Sequence, residues 1–454
     1  GSTASAIFEL RSAYRAFLAI PESTASEWAK NCRCLGLGNF AVMLSYVEPA
    51  FAATFNAVSM SFGMSREDGM SLLKAASDRC PITYNVPTVF AAVSLSVLEL
   101  IKHARLVGSS NLQAQAHALD SAKASIQNIL RVDPANMLGN WVMSHVLRRM
   151  SDFEGSTRIM QAIFDKIAPR YENTDEVEIG ARAAASSGVS PNRVASRLRF
   201  ELAQCQIIRL KYDEAVDSLS PLVADASSYI AKGMALMLCG GALACLGRHS
   251  ESISMFKKVL NLRGGNEDTP VGPMDLVLIR KARVNVLRSK IASMLSMHEM
   301  NYFLGYTAIS GSVTLQTVFE DLCETLAKIQ GRFESMRNVE GADGGGGLVE
   351  ELMAALFLTG SVGSGLRHDD IAVQHLTRVI ELADAFAGDA ALSTDPYHVP
   401  FAMFELGLLH LRAGRPREAV GLFEQARKAT DYTFDQALWY RSQGPLARAR
   451  KQAE

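Results

Sequence analysis

Apolar residues recur at three- and four-residue intervals along most of this chain, the period of a helix that turns one face to a core. Strict polar–apolar alternation, the mark of a half-buried strand, is scarce, and the pattern predicts an all-α protein. A finer scheme sits inside the helical runs. A small residue is followed four positions later by a bulky one: Ala122 and Ile126, Ser156 and Met160, Ala215 and Leu219, Ser252 and Phe256, Ala372 and Leu376, Ala419 and Phe423. The small residue lets two helices approach closely, and the bulky one fills the gap beside it.

Each pair falls in the second helix of a predicted hairpin. The first helices run through Trp141 to Arg149, Leu202-Ala203, Cys239-Gly240, Gly360 and Leu406-Gly407. Ala122 and Ser156 stand 34 residues apart, the length of a tetratricopeptide hairpin. The expected architecture is therefore all-α, with tetratricopeptide-like helical-hairpin repeats forming a superhelix that a non-repeat helical region interrupts. Residues 3–110 form an N-terminal helical region, 111–262 a first array, 274–337 an inserted region of long helices, and 348–454 a C-terminal array. Turn-rich stretches separate them at Arg263 to Pro273 and Asn338 to Gly347, and two more lie at Glu172 to Ser190 and Ala387 to Pro400.

Charge and cysteine usage narrow the function classes. The 46 Lys and Arg offset 47 Asp and Glu, so no global basic field draws in nucleic acid. The seven cysteines are odd in number and mostly lie in apolar helical patterns, as free thiols in a reducing compartment do. The most apolar stretches are Val86 to Ile101, interrupted by Pro87 and Glu99, and Met234 to Leu246. Neither is read as the roughly 18-residue run that a membrane span needs, so both are expected to be buried helices. Gly1-Ser2 resembles a tag remnant.

Several motifs could carry chemistry, and each has a plainer reading. Gly36-x-Gly38-x-x-Ala41 lacks the preceding strand of a dinucleotide fingerprint, so its glycines mark close helix packing. Cys32-Arg33-Cys34 has too short a spacing for paired zinc ligands. Arg367-His368-Asp369-Asp370 with His375 gathers metal-ligand types, but at the start of a second helix, where Asp favours the N-terminus. An enzyme reading would look for a pocket between the arrays near His298, Tyr302 and Tyr306. No constellation there meets the geometry of catalysis. We expect no catalytic, cofactor-binding or metal-binding residues.

Binding is the remaining class. Stacked hairpins create a concave groove, and its candidate partner contacts are Trp141, Phe200, Gln204, Phe404 and His410. The inward faces lack the Lys and Asn clamp that holds a peptide's terminal carboxylate, so the expected partner is a protein helix or apolar segment. A basic cluster, Arg280-Lys281-Ala282-Arg283 followed by Arg288 and Lys290, is the candidate for peripheral contact with an anionic membrane.

Several segments resemble one family. Leu35-Gly36-Leu37-Gly38-Asn39-Phe40, Arg66-Glu67-x-Gly69, Ile279-Arg280-Lys281-Ala282-Arg283, and Asp395-x-Tyr397-x-Val399-Pro400 with Phe404-Glu405-Leu406-Gly407-Leu408-Leu409 occur in order. Together they resemble the tetratricopeptide repeat protein 39 and fungal inclusion-body-clearance family. The family's usual N-terminal helical repeat has no counterpart here, and Phe404 stands where Tyr is common. The resemblance implies a non-catalytic scaffold or adaptor in the cytoplasm. It would act in lipid homeostasis or inclusion-body clearance, at the outer mitochondrial membrane or a lipid-droplet surface. An uncapped apolar end would favour a homodimer.

Overall fold

The structure, a computed structural model, describes residues 25–45, 66–106, 112–172, 191–224, 231–263, 273–337, 346–386, 397–430 and 434–454, with 12, 15–21, 23 and 432. Among the described residues there are helices and turns and no strand. The stretches at 173–190, 264–272, 338–345 and 387–396, where loops were expected, lie outside the described residues.

Two compact units divide the chain, Gly1–Ile163 and Phe164–Glu454. The first holds α1 (Glu27–Ser45), α2 (Arg66–Asp78), α3 (Val86–Leu106), α4 (Leu112–Leu130) and α5 (Met137–Arg149). It ends within α6 (Phe153–Glu172), so the division falls inside the segment 111–262. The second unit continues with α7 (Pro191–Ile208), α8 (Tyr212–Val223), α9 (Lys232–Cys245) and α10 (His249–Leu260). Then come α11 (Pro273–Leu287), α12 (Leu295–Phe303) and α13 (Ser312–Arg337). It closes with α14 (Gly346–Gly365), α15 (Asp369–Ala385), α16 (His398–Arg412), α17 (Pro416–Lys428) and α18 (Asp435–Ala453).

Five hairpins share one internal geometry: α5–α6, α7–α8, α9–α10, α14–α15 and α16–α17. Each first helix carries a buried small residue, in turn Ser144, Ala203, Gly240, Gly360 and Gly407. Twelve residues later comes a second buried small residue, and sixteen later a buried large one: Met160, Leu219, Phe256, Leu376 and Phe423. The approach is close. A Cβ added at Gly240 would lie 2.6 Å from the Phe256 ring, one at Gly407 2.6 Å from Phe423, and one at Gly360 2.8 Å from Leu376. In the α9–α10 hairpin the Ser252 hydroxyl also donates to the Gly240 carbonyl at 2.7 Å.

The turns repeat as faithfully. Seven residues after each first-helix small residue the backbone is left-handed, at Ser151, Leu210, Gly247, Arg367 and Gly414. The next N–H then reaches back five residues to a helix carbonyl: Asp152 to Leu147, Lys211 to Gln206, Arg248 to Leu243, His368 to Gly363 and Arg415 to His410. This closure satisfies carbonyls that the helix end would leave orphaned.

In the first unit α3 is central. Ala91 and Leu95 face one core with Val42 and Leu73, and Val89 and Ala92 face another with Ile126 and Val146. Contrary to the sequence expectation, Val86–His103 is long and apolar enough to cross a membrane by length and composition, with half of that window buried inside the protein. Pro87 does not break it, because a first-turn proline forfeits no helix hydrogen bond. Gly38 and Gly69 let α1 and α2 pack closely: a Cβ on either would lie 2.9 Å from the other's carbonyl oxygen. The glycines of the dinucleotide-like motif thus include a helix-packing position.

The expected long helices of 274–337 are interrupted twice. Past α11, Glu351 accepts hydrogen bonds from the Ser289 N–H at 2.6 Å and its hydroxyl at 2.8 Å, which caps the turn. Gly305 then ends α12 in a left-handed conformation, with the Tyr306 N–H bonded back to Asn301. Only α13, at 26 residues, is long. All nine residues of α12 are buried. Met297 and Met300 belong to the core of α7–α10, and Leu295, Tyr302 and Phe303 to the core of α13–α18. The short helix therefore joins the two hydrophobic cores of the second unit.

The crossing glycines predict a sign. Gly407→Ala gains about 1 kcal/mol of helix propensity but forces the enclosed Phe423 ring to move, a cost of about 1–3 kcal/mol. Its unfolding midpoint should fall. Gly421→Ala, on α17 with open space around it, should raise the midpoint under the same urea titration.

Candidate functional site

Helix α11 divides its side chains between two faces. Lys281 and Asn285 are buried, as is Arg288 just past the helix end, whereas Leu276, Arg280, Arg283 and Leu287, spaced by four, three and four, are exposed. Helical geometry puts each set on one side. The core residues Leu278, Ile279 and Ala282 hold that rotation together with a carboxylate on α12.

Glu299 is fully buried and gathers partners from three segments. Arg288 donates to its Oε1 at 2.5 Å, and the Lys281 ammonium lies 3.4 Å from Oε2. The Tyr397 hydroxyl, just ahead of α16, donates to Oε1, and His398 Nε2 stands 3.8 Å away. The Lys281 ammonium also lies 3.9 Å from the centre of the Tyr397 ring, a cation–π geometry. Burial alone would push the Glu299 carboxyl up. The charges of Arg288 and Lys281 outweigh it and hold the group well below the usual carboxylate range. Burial disfavours the charged Arg288 as well, yet Glu299 raises its pKa.

Neighbouring contacts tie α12 to the C-terminal hairpins. The Tyr302 hydroxyl donates to Glu405 at 2.6 Å, and Arg441 donates to the Phe303 carbonyl at 2.7 Å. Burial raises the Glu405 carboxyl. Tyr302 sits edge-on to Phe357 and Phe401, and Phe303 to Tyr397 and Phe401. Burial also holds His298 down at about 4.

Sequence-predicted contacts separate into two groups. Phe200 and Phe404, exposed by 4% and 5%, are core residues and not groove contacts. Each stands three residues before the small crossing residue, on the side that packs within the hairpin. Trp141 has the same register in the first unit and is half-buried, with its ring edge-on to His145 at 5.0 Å. Gln204 and His410 are half-buried. Lys281 is a second correction: at 1% exposure it serves Glu299 and leaves the anionic-surface contact to Arg280 and Arg283. His298, Tyr302 and Tyr306 are all buried.

The remaining motifs resolve locally. Asp369 and Asp370 occupy the first turn of α15, where Asp369 pairs with Arg412 at 2.7 Å. Among the described residues no three His, Cys, Asp or Glu side chains group as metal ligands. All seven cysteines are free thiols. Sequence reasoning overlooked Glu299, Arg288 and Tyr397 as a set. A signal was present: from Leu276 to His298 the chain holds five Lys and Arg and no acidic residue, and Glu299 ends that run.

No family model matches this chain, and no curated protein sequence does. Among solved structures, the TPR domain of P58(IPK) is similar over 93% of this chain and 98% of that one, at 12% identity and a TM-score of 0.22. At that score the likeness supports no step of the argument, and the repeat architecture rests on the hairpins themselves.

Two measurements test the buried centre. Arg288→Met leaves Glu299 short of a cation and should cost about 3–5 kcal/mol in urea unfolding. Replacing Lys281, Arg288 and Glu299 together with Met, Met and Leu should recover most of that loss. His298 makes a separate, pH-dependent contribution. Its folded pKa of about 4 lies below the unfolded value of about 6.5. The unfolded state therefore binds more protons between those values, and stability is lost as pH falls through that window. His298→Gln should flatten the pH dependence there by roughly 3 kcal/mol, read from urea midpoints across the window.

Proposed function

We propose that the protein is a non-catalytic scaffold that holds a protein partner against its hairpin repeats. The observation that carries this reading is the strict repetition of hairpin geometry. The small and large crossing residues and the turns are spent on internal packing, and what differs from hairpin to hairpin is the outer first-helix surface. The half-buried first-helix residues Gln204 and His410 in the second unit, and Trp141 in the first, each keep part of their surface exposed. An expected occupant is a helix or apolar segment, since a helix laid on a helical surface contacts it at regular intervals.

The motifs of the amino-terminal and closing segments support a finer version. They would set this scaffold in the cytoplasm, in lipid homeostasis or inclusion-body clearance, beside an outer mitochondrial membrane or lipid droplet. That version rests on the resemblance of those motifs alone.

Affinity purification with quantitative mass spectrometry tests the scaffold reading. Trp141→Ala in one variant and Gln204→Ala with His410→Ala in another should each deplete specific partners several-fold. Circular dichroism and thermal midpoint should stay as in the parent. An unchanged partner set in both variants overturns the placement of the binding surface on the first helices.

A further inference from the structure

The outer face of α11 is the surface whose chemistry is most sharply defined. Leu276, Arg280, Arg283 and Leu287 form one exposed line, and the exposed Lys290 follows in the turn beyond the helix. Its apolar members are conspicuous: Leu287 is 84% exposed and Leu276 47%. Ile291 adds to the far end. The cations sit between and beyond the leucines, and no acidic residue occurs from Leu276 to His298. Helix α10, which packs on α11, ends in Lys257 and Lys258 and is followed by the exposed Leu262.

We infer that this line is a docking site for an acidic amphipathic helix of a protein partner, and the inference rests on the scaffold reading above. Charge complementarity selects the occupant. Two exposed leucines eleven residues apart span about three turns, roughly 16 Å. A partner helix lying along α11 meets them with two apolar side chains at the same separation. Its carboxylates, placed between those anchors, face Arg280 and Arg283. Arg suits such contacts because its planar fork pairs with a carboxylate through two hydrogen bonds.

The alternative occupant is an anionic lipid surface. A bilayer reads total charge and apolar area and has no register, whereas the line here is one helix wide and ordered as leucine, two arginines, leucine. That order favours a helix. The buried centre is what makes the order meaningful. Lys281, bound to Glu299, and the core residues Leu278, Ile279 and Ala282 fix the turn of α11 about its axis, so the line faces outward as a set.

Fluorescence anisotropy with the intact chain tests the site. The probe is a labelled synthetic helix with two leucines eleven residues apart and glutamates four and seven residues after the first. Controls replace its glutamates with glutamine or its leucines with alanine. The parent protein should bind the probe, prefer it to both controls by about tenfold or more, and weaken as salt rises. Arg280→Glu with Arg283→Glu, and separately Leu287→Ser, should each lower affinity at least about tenfold while the thermal midpoint holds. Equal binding of probe and controls overturns the proposal. Recovery on phosphatidylserine vesicles that the Arg280 and Arg283 variant abolishes, without probe binding, overturns it in favour of lipid. Probe binding that survives the α11 variants but is lost on Gln204→Ala with His410→Ala also overturns it, and leaves the scaffold reading standing.

Discussion

A carboxylate sealed inside a helical protein dictates what surrounds it. Removing Glu299 from water would cost several kcal/mol without compensation. It remains ionised only because Arg288 and Lys281 come with it, and Tyr397 donates a further hydrogen bond. Those partners arrive from α11, the turn beyond it and the start of α16. One side chain on α12 thereby fixes α11 with its following turn and, about a hundred residues on, the start of α16. Much of the second unit depends on that arrangement, because α12 is also where its two hydrophobic cores meet.

The ionic centre and the repeats solve different problems. Each hairpin holds itself together by shape: a small residue on one helix and a large one on the other bring the axes close. That interaction is local and the same in each copy, so it cannot specify which hairpin follows which. The joint between the arrays is set by chemistry instead. A methionine from α12 rests against Gly241, where an added Cβ would lie 3.1 Å from the Met297 Cα. On another face of the same helix Glu299 demands two particular cations. Replacing the ions with apolar side chains can preserve stability, but it leaves the rotation of α11 to its apolar face, Leu278, Ile279 and Ala282, alone.

This contrast explains what the sequence discloses. Small-to-large spacing in the second helices is periodic, and Ser156, Ala215, Ser252, Ala372 and Ala419 identify their hairpins without a structure. The turns are less visible. Gly247 and Gly414 announce a left-handed residue, but Ser151, Leu210 and Arg367 adopt the same backbone, and only the tertiary context holds them there. Phe200 and Phe404 resemble groove residues because register alone cannot say which side of a first helix its own partner covers. The centre at Glu299 is hidden for another reason: its members come from separate segments, and nothing periodic links them. Two segments noted for family resemblance, the one containing Lys281 and the one containing Tyr397, converge on it.

Residues adjacent in sequence are thus given opposite tasks. Arg280 and Lys281 look like one basic cluster, yet about 100° of helical rotation separates them, and Glu299 claims one of the pair. The charge left outside is smaller than the sequence suggests and far more ordered. Counting basic residues would assign the helix a diffuse attraction to any anionic surface. With Lys281 turned inward to Glu299, Arg280 and Arg283 lie on the exposed face of α11 between two leucines. Attraction then depends on position as well as on sign, and positional dependence is what lets a surface distinguish one partner from another. The buried carboxylate therefore shapes recognition without touching a ligand, by helping to decide which side chains α11 turns outward.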